Sequence, residues 1–312
     1  MTELPRLFDR RAVHRNRIRA LADRRYEPFL LDEVADRLVE RLSEIRRPFP
    51  RVLELGSWRG RLADLLRLAG PGRELIVAVD PVADALDEGP GLKVQAEPEA
   101  LPFADESFDL VVSALALHHV DDLPGVLLQL RRILAPDGLM LLALLGGESL
   151  FELRTALLQA ELDIKGGAAM RVAPFVDIRD AAALLQRAGL ALPVADVDRI
   201  TVSYPDALAL LHELQSMGEG GALLERPRGL FRRDLLLRAA EIYGERFARA
   251  DGRVIASFDI LHLSGWKPHE SQQQPARRGS GQVRLAAAMG VPVEVLEGTA
   301  PPKGREPDDQ AG

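Results

Sequence analysis

Between about residues 50 and 147, short apolar runs alternate with amphipathic segments. The runs VLEL, ELIVAVD, LKVQAE, FDLVVSALAL and LMLLALLG predict five strands. The segments RLADLLRLAG, PVADAL and LPGVLLQLRRIL predict the helices that separate these strands. Continuous apolar runs separated by helices are typical of strands that helices cover on both faces of a parallel sheet. The pattern therefore predicts a doubly wound, mostly parallel α/β core.

Further elements are predicted on both sides of this core. Residues 1–49 predict an extension of two helices, the second running from about Leu30 to Ile45 and ended by RRPFP. After the core, two helices and the strands VADVDRITVSY and VIASFDILHLSGW follow, and we expect a helical insertion at about 205–250, before the last strand. The domain is thus expected to span 50–267. The remaining residues, 268–312, predict a polar, partly disordered tail because they are rich in Pro, Gly and charge.

Composition narrows the functional classes. The 312 residues are 47% hydrophobic, and 40 basic against 47 acidic side chains give a net charge of −7, which argues against a nucleic-acid partner. The chain has no cysteine, which excludes disulfides and thiolate metal sites, and is compatible with a cytoplasmic location. No apolar run reaches the roughly 20 residues that span a bilayer. The arginine-rich start predicts a helix packed on the domain, with a partner-binding or peripheral membrane surface as the alternative.

The stretch VLELGSWRG joins the first predicted strand to the helix after it. Glu54 ends the strand, and Gly56 and Gly60 predict a tight turn, so the following helix would present its free N–H groups to an anionic ligand. The dinucleotide fingerprint GxGxxG is not matched here. Trp58 lies between the glycines, where it is either a lid over a ligand or a plug that fills the site.

Acidic residues follow the next two strands. Asp80 ends the second strand, where a carboxylate can accept hydrogen bonds from both hydroxyls of a ribose. Glu97 ends the third, and LPF then leads through a turn to FDLVV in the fourth. This order of motifs over residues 50–147 resembles the class I S-adenosylmethionine-dependent methyltransferases. The resemblance implies their Rossmann-like fold and S-adenosyl-L-methionine as cofactor.

Motifs over nearly the whole chain resemble one subfamily more closely. They include RLFDRRAVHRNR, LALHHVDDLPGVLLQLRRILAPDGL, LGGESLFELRTAL and SGWKPHESQQQPARRGS. This subfamily contains the respiratory complex I assembly factor 5, a mitochondrial arginine hydroxylase, and its alphaproteobacterial relatives. The resemblance implies an S-adenosylmethionine-dependent methyltransferase that acts on a protein during complex I assembly. Hydroxylation of an arginine in an iron–sulfur subunit and methyl transfer are both open as its reaction. The alternatives are a non-catalytic assembly chaperone and a carboxyl methyltransferase acting on a carrier protein or a small molecule.

The resemblance also implies roles for individual residues. Glu54 would face the methionine amino group, Asp80 would bind the ribose, and Glu97 would lie near the adenine amino group. Gly56 and Gly60 would form the turn around the methionine portion. A further cofactor contact is predicted from strand four, where Ser113 would line the floor of the site. Trp58 belongs to the predicted cofactor set as the residue that departs most from the family pattern, which usually has a small residue there.

The run HHVDD after the fourth strand supplies the candidate for catalysis. His118 is the candidate general base or substrate contact, and His119 departs from the tryptophan that is common in relatives. We predict no metal site. The alternative is an iron triad in which His119 and Asp121 are completed by His262 or His269.

Overall fold

The computed structural model describes residues 6–23, 26, 28–69, 72–227 and 231–273. Residues up to Ser271 belong to one compact unit. Its described part contains a seven-stranded sheet, formed by β1 (Arg51–Leu55), β2 (Leu75–Asp80), β3 (Leu92–Gln95), β4 (Phe108–Ala114), β5 (Leu134–Leu145), β6 (Ala191–Tyr204) and β7 (Val254–Trp266). The helices of the described residues are α1 (Arg10–Ala22), α2 (Phe29–Ser43), α3 (Arg61–Leu68), α4 (Leu123–Ile133), α5 (Phe151–Lys165), α6 (Ile178–Arg187), α7 (Ala207–Ser216) and α8 (Arg233–Phe247).

The strands lie in the order β3-β2-β1-β4-β5-β7-β6. β1 to β5 run parallel, and β7 pairs antiparallel with both β5 and β6. The predicted doubly wound, mostly parallel sheet is confirmed. The strand order reverses between β1 and β4, so the connections after these two strands leave on opposite sides of the sheet. Ligands of such sheets bind in the crevice outside the carboxyl ends of the strands at this point.

Both faces of the sheet are buried, as the continuous apolar runs predict. Val52 packs into a core with α2, α3, α5, α7 and α8, whereas its neighbour Leu53 packs into a second core with α4 and α6. This alternation follows from the two-residue period of a strand. It explains why a central strand has almost no polar position except at its carboxyl end.

The elements outside the core also follow the predictions. α6 begins with Asp177 as its N-cap, whose carboxylate accepts from the Arg179 amide, and Gly189 lies past its end with φ +71°. α7 and α8 form the helical insertion between β6 and β7, and α8 packs against α5. α2 buries its apolar face in the same core as α3. Nearly all of the predicted tail, residues 274–312, lies outside the described residues.

Several strand boundaries differ from the predictions, and two of them have a clear local reason. β4 ends at Ala114 because Leu115 has φ +50°, a conformation that a strand cannot contain. β5 begins at Leu134 rather than at Leu139, since it includes the Pro-Asp-Gly turn as a bulge at which its register with β4 shifts. The segment after β2 is also shorter than predicted, a single 3-10 turn at Ala83–Leu86.

Two buried tyrosines provide a test of the packing around α8. The Tyr243 hydroxyl donates to the Ile255 carbonyl at 2.7 Å, whereas the Tyr204 hydroxyl has no hydrogen-bond partner among the described residues. Tyr243→Phe should lower the free energy of unfolding by about 1 kcal/mol, because it leaves a buried carbonyl without this donor. Tyr204→Phe should leave stability nearly unchanged. Urea unfolding of both variants measures the difference, and equal losses would contradict the assignment.

Candidate cofactor and substrate site

The glycine turn after β1 brings the backbone close to neighbouring segments. Gly56 has φ +84°, and a Cβ there would lie 1.9 Å from the Ala116 Cβ. Gly60 has φ +71° and precedes α3, and its amide donates to the Ser57 hydroxyl at 2.9 Å. Both glycines are therefore required by the backbone, as predicted. The first turn of α3 consequently faces the crevice at the carboxyl edge of the sheet.

Glu54 is a buried carboxylate at this edge. Its side chain is almost completely enclosed, and neither carboxylate oxygen has a hydrogen-bond partner among the described residues. Burial raises the pKa of Glu54 from its ordinary 4.5 to about 7, and the nearby Ala63 amide and Ser57 hydroxyl offset the rise only in part. An acid in this position is stabilised by a cationic ligand, since such a ligand compensates the charge that burial disfavours.

Asp80, at the end of β2, is also fully buried but has a cationic partner from the N-terminal extension. The Arg17 guanidinium on α1 donates to both of its carboxylate oxygens, at 2.6 and 3.2 Å, and the Val82 amide donates at 2.9 Å. Burial raises the pKa of Asp80, and Arg17 opposes that rise. Arg17 also donates to the Ser57 carbonyl. Arg17 therefore occupies the oxygens that the sequence assigns to a ribose.

Trp58 and Arg17 close the crevice above Asp80. The guanidinium lies 5.2 Å from the centre of the indole ring, in cation–π contact, and the indole packs against Val82 and Ala85. A cavity of only about 40 Å³ lies beside them, bordered by Gly56, Trp58 and other residues. Pockets for ligands of cofactor size are about 300–1,000 Å³. Admission of a nucleoside therefore requires the Arg17 and Trp58 side chains to change position.

The remaining predicted cofactor residues lie at different depths. The Ser113 hydroxyl is buried and donates to the Leu55 carbonyl at 2.7 Å, so it ties β4 to β1 beneath the crevice. Glu97, after β3, is about one-third exposed and lies 3.1 Å from the His14 Nε2 and 3.8 Å from Arg10, both on α1. The arginine-rich α1 thus directs Arg10 and Arg17 toward acids of the domain, as its predicted packing implies.

A second polar cluster lies in the turn after β4. His118 Nε2 lies 2.9 Å from Glu219 Oε1, and His119 Nε2 lies 3.5 Å from Glu219 Oε2. Burial lowers the pKa of His119 to about 4, and the charge of Glu219 offsets this only in part. Burial alone would raise the pKa of Glu219, but the two imidazoles lower it below its ordinary value. The cluster thus contains an ionised carboxylate beside two histidines.

The N-terminal segment holds the two loops of this cluster together. Asp121, in the histidine loop, accepts from the Leu7 and Phe8 amides at 2.8 and 3.0 Å. The Asn16 side chain donates to the Gly220 carbonyl at 3.0 Å, next to Glu219. α1 and the residues just before it therefore contact Asp80 and both loops of the histidine cluster.

A cavity of about 630 Å³ opens beside the cluster. It lies among α5, α7 and α8, and its walls combine leucines with the cations Lys165, Arg171, Arg226 and Arg232. Glu219 is its single carboxylate among the described lining residues, and Glu219 also borders the small cavity at Trp58. Glu219 therefore lies where the large cavity meets the cofactor edge.

The iron triad considered from the sequence does not assemble. Asp121 binds backbone amides, as described above, and His262 lies on β7 at 3.3 Å from Asp198. His269 contacts the Ser271 hydroxyl in an exposed turn. His262 and His269 therefore lie away from His119. β7 directs His262 toward the face of the sheet that α2 covers. His119 instead approaches His118 and Glu219.

Sequence reasoning missed two residues of the site. Arg17 was one of many arginines in a predicted helix, and its spacing alone does not indicate which one turns inward. Glu219 stands alone among glycines in GEGG, about 100 positions from the histidines. An acid in a glycine-rich loop is a signal of a functional residue. The histidine partners of Glu219 become evident only in the folded structure, where α1 holds this loop beside them.

The chain is similar to known proteins both in sequence and in fold. Residues 23–193, more than half of the chain, match a family described as a methyltransferase domain. The chain belongs to this methyltransferase family. Of solved structures, the YcgJ protein from Bacillus subtilis has a TM-score of 0.53 at 15% identity and covers 75% of this chain and 99% of its own. At this identity the likeness supports the fold alone.

Curated methyltransferase-family relatives match most of the chain. The human protein named arginine-hydroxylase NDUFAF5, mitochondrial, is 41% identical over 258 residues, covering 82% of this chain and 74% of its own. Its Danio rerio counterpart is 38% identical over 287 residues, covering 90% and 88%. Malonyl-[acyl-carrier protein] O-methyltransferase from Halorhodospira halophila is 36% identical over 288 residues, covering 89% and 94%. The resemblance to this enzyme family is confirmed.

Glu54 makes the stability of this family member depend on pH. Because its folded-state pKa is raised, its contribution is fully present below pH 4.5 and is lost as pH rises through about 7. Glu54→Gln should remove this decline, which amounts to about 3 kcal/mol. Urea unfolding at pH 4.5 and 8 measures the difference, with the more exposed Glu97→Gln as control. An unchanged pH dependence in Glu54→Gln would contradict the assignment.

The ion pair between Arg17 and Asp80 is expected to stabilise the fold. Arg17→Leu should lower the free energy of unfolding by about 3 kcal/mol, because Asp80 is left as an uncompensated buried charge. Arg15→Leu, an exposed position on the same helix, should have little effect. Urea unfolding at pH 7 compares the two variants. Equal losses would show that the Arg17–Asp80 pair does not stabilise the fold.

Proposed function

We propose that the chain binds S-adenosyl-L-methionine at the carboxyl edge of β1, β2 and β4. The buried, unpartnered Glu54 suits the ammonium group of the methionine portion, and the amides at the start of α3 suit its carboxylate. Asp80 suits the ribose hydroxyls, and Glu97 lies toward the adenine end. Gly56, Gly60 and Ser113 shape the floor, and Trp58 covers it. The charges and donors of these residues fit the cofactor.

Cofactor binding has a specific consequence for α1. The ribose and the Arg17 guanidinium seek the same Asp80 oxygens, so Arg17 must leave them when the cofactor enters. When bound, the cofactor offers a methyl group on a sulfonium. The protein's contribution is then to hold the acceptor in line with that group and to exclude water.

We further propose that the substrate is an arginine side chain of another protein and that the reaction is hydroxylation. A C–H bond of the arginine becomes C–OH, dioxygen is the oxidant, and an external two-electron donor reduces its second oxygen atom to water. The observation that carries this proposal is Glu219, the carboxylate at the inner end of the large cavity. A guanidinium that enters the cavity would find there an ionised partner next to the cofactor edge. The 38–41% identity to proteins named arginine hydroxylases supports the same reaction. His118 remains our candidate general base.

The setting that we propose is assembly of respiratory complex I, with an iron–sulfur subunit as the target and the cytoplasm as the location. No helix among the described residues is long and apolar enough to cross a membrane. Peripheral contact with a membrane stays part of the proposal, since several arginines of α1, including Arg11 and Arg15, are exposed.

A carboxyl methyltransferase is the second candidate. The cations of the large cavity favour it, because a carboxylate substrate would be attracted to them. Each of them, however, already contacts an acid: Arg171 and Lys165 contact Glu161, Arg226 contacts Asp9, and Arg232 contacts Asp234. Incubation with a malonyl thioester and the cofactor tests this candidate directly by formation of the methyl ester.

Calorimetric titration tests the cofactor proposal. S-adenosylmethionine should bind the full chain, and Asp80→Asn should weaken binding by at least about tenfold because charge-assisted hydrogen bonds are lost. Asp105→Asn, an exposed acid away from the edge, is the control. Absence of binding by the native chain, with binding restored in Trp58→Gly, would instead support the non-catalytic chaperone.

Proton release provides an independent check of Glu54. Its pKa of about 7 should fall when the cofactor ammonium binds, so binding at pH 6.5 should release protons. Titrations in buffers with different ionisation enthalpies measure this release, which Glu54→Gln should abolish. Buffer-independent heats in the native chain would contradict the assigned contact.

Mass spectrometry tests the reaction. Complex I subunits from cells with and without this gene should differ by one oxygen atom on one arginine. A difference of one methylene group would identify a methyltransferase instead. Identical masses would contradict both enzymatic proposals.

A further inference from the structure

We propose that His118, His119 and Glu219 bind one divalent first-row transition-metal ion. The three side chains form a group in which one potential ligand atom from each lies within 4.8 Å of the others. Two imidazoles and one carboxylate are a donor set that holds mononuclear iron or zinc and leaves further coordination positions open. The site consists of protein side chains alone. An ion bound there would replace the roles proposed above for Glu219 as a guanidinium partner and for His118 as a general base.

The distances between the donors suit a single ion. His118 Nε2 and Glu219 Oε1 are 2.9 Å apart, and His119 Nε2 and Glu219 Oε2 are 3.5 Å apart. Ligands that bind an ion at about 2.0–2.2 Å are separated by about 3 Å at right angles and by about 3.4 Å at tetrahedral angles. The two observed separations match these values, and the ligand atoms of the two histidines lie within 4.8 Å of each other.

A purely structural histidine–carboxylate pair explains only part of this arrangement. Such a pair accounts for the His118–Glu219 hydrogen bond, but it leaves the second imidazole facing the other carboxylate oxygen without a hydrogen bond. An ion bound between the two imidazoles and Glu219 accounts for both contacts.

The surrounding structure holds the donors in place before any ion binds. The turn after β4 brings the two consecutive imidazoles to 4.5 Å between ring centres, and the Phe8 ring packs edge-on against His119 at 5.2 Å. The Glu219 amide donates to the Leu214 carbonyl, and Asn16 holds the following residue. A preorganised set of ligands loses less conformational entropy on binding.

The position of the site has a chemical consequence. His119 and Glu219 line the large cavity, so open coordination positions of the ion would face a molecule bound there. Glu219 also borders the small cavity at Trp58 and Arg17, so the ion would lie beside the crevice proposed for the cofactor.

Titration with Co²⁺ tests the proposal on the full chain without an affinity tag. Co²⁺ should bind with one-to-one stoichiometry and produce visible absorption bands of a protein-bound ion. His119→Ala and Glu219→Gln should each weaken binding by at least about tenfold, in line with losses of metal-site contacts. His14→Ala is the matched control, because His14 and Glu97 form a similar contact at 3.1 Å without a second histidine. It should bind Co²⁺ like the native chain.

X-ray absorption of the Co²⁺-loaded native chain gives a second test that no variant can compromise by misfolding. The spectrum should show two imidazole ligands at about 2.1 Å. The proposal is overturned if the native chain shows no stoichiometric binding, if fewer than two imidazoles are found, or if the two ligand variants bind as the native chain does. Because the readout needs neither cofactor nor turnover, its result is independent of the tests of the proposed function.

Discussion

The ion pair between Arg17 and Asp80 is the interaction on which the arrangement of this protein depends. The sheet buries two carboxylates at its carboxyl edge, Glu54 and Asp80, and a buried carboxylate without compensation is costly. α1 compensates one of them by inserting a guanidinium between Asp80, the Ser57 carbonyl and the Trp58 ring. That insertion docks the N-terminal extension over the crevice. The other carboxylate remains unpartnered among the described residues and is the group that a cationic ligand would stabilise.

Docking of α1 has effects beyond the crevice, because the same segment binds two loops distant in sequence. The Leu7 and Phe8 amides, just before α1, donate to the Asp121 carboxylate, and Asn16 holds the loop that carries Glu219. The crevice at Asp80 and the histidine cluster therefore both contact one N-terminal segment. This segment is a continuous physical connection between the crevice and the large cavity beside the histidines.

The core of the fold was predictable because its signals are local. A strand buried on both faces must be apolar throughout, and the turn after β1 requires glycine where φ is +84° and +71°. These constraints appear directly in VLELGSWRG. The boundaries that differ depend on pairing between strands: β5 extends through a Pro-Asp-Gly bulge because Leu134 still pairs with Phe108. The partners of Arg17 and Glu219 were not predictable in this way, since 63 and about 100 residues separate them from the groups they contact.

The sequence by itself determined the alternation of strands and helices, the glycine turn and the acids at the ends of β1 and β2, because each follows from the chemistry of a few consecutive residues. It also determined the family, through motifs distributed along the chain. Only the tertiary structure decided which arginine of α1 turns inward, which acid joins the two histidines, and that Trp58 lies against Arg17 at the crevice. These contacts join residues far apart in the chain, and their selection depends on burial and charge compensation, which exist only after the sheet and α1 have packed.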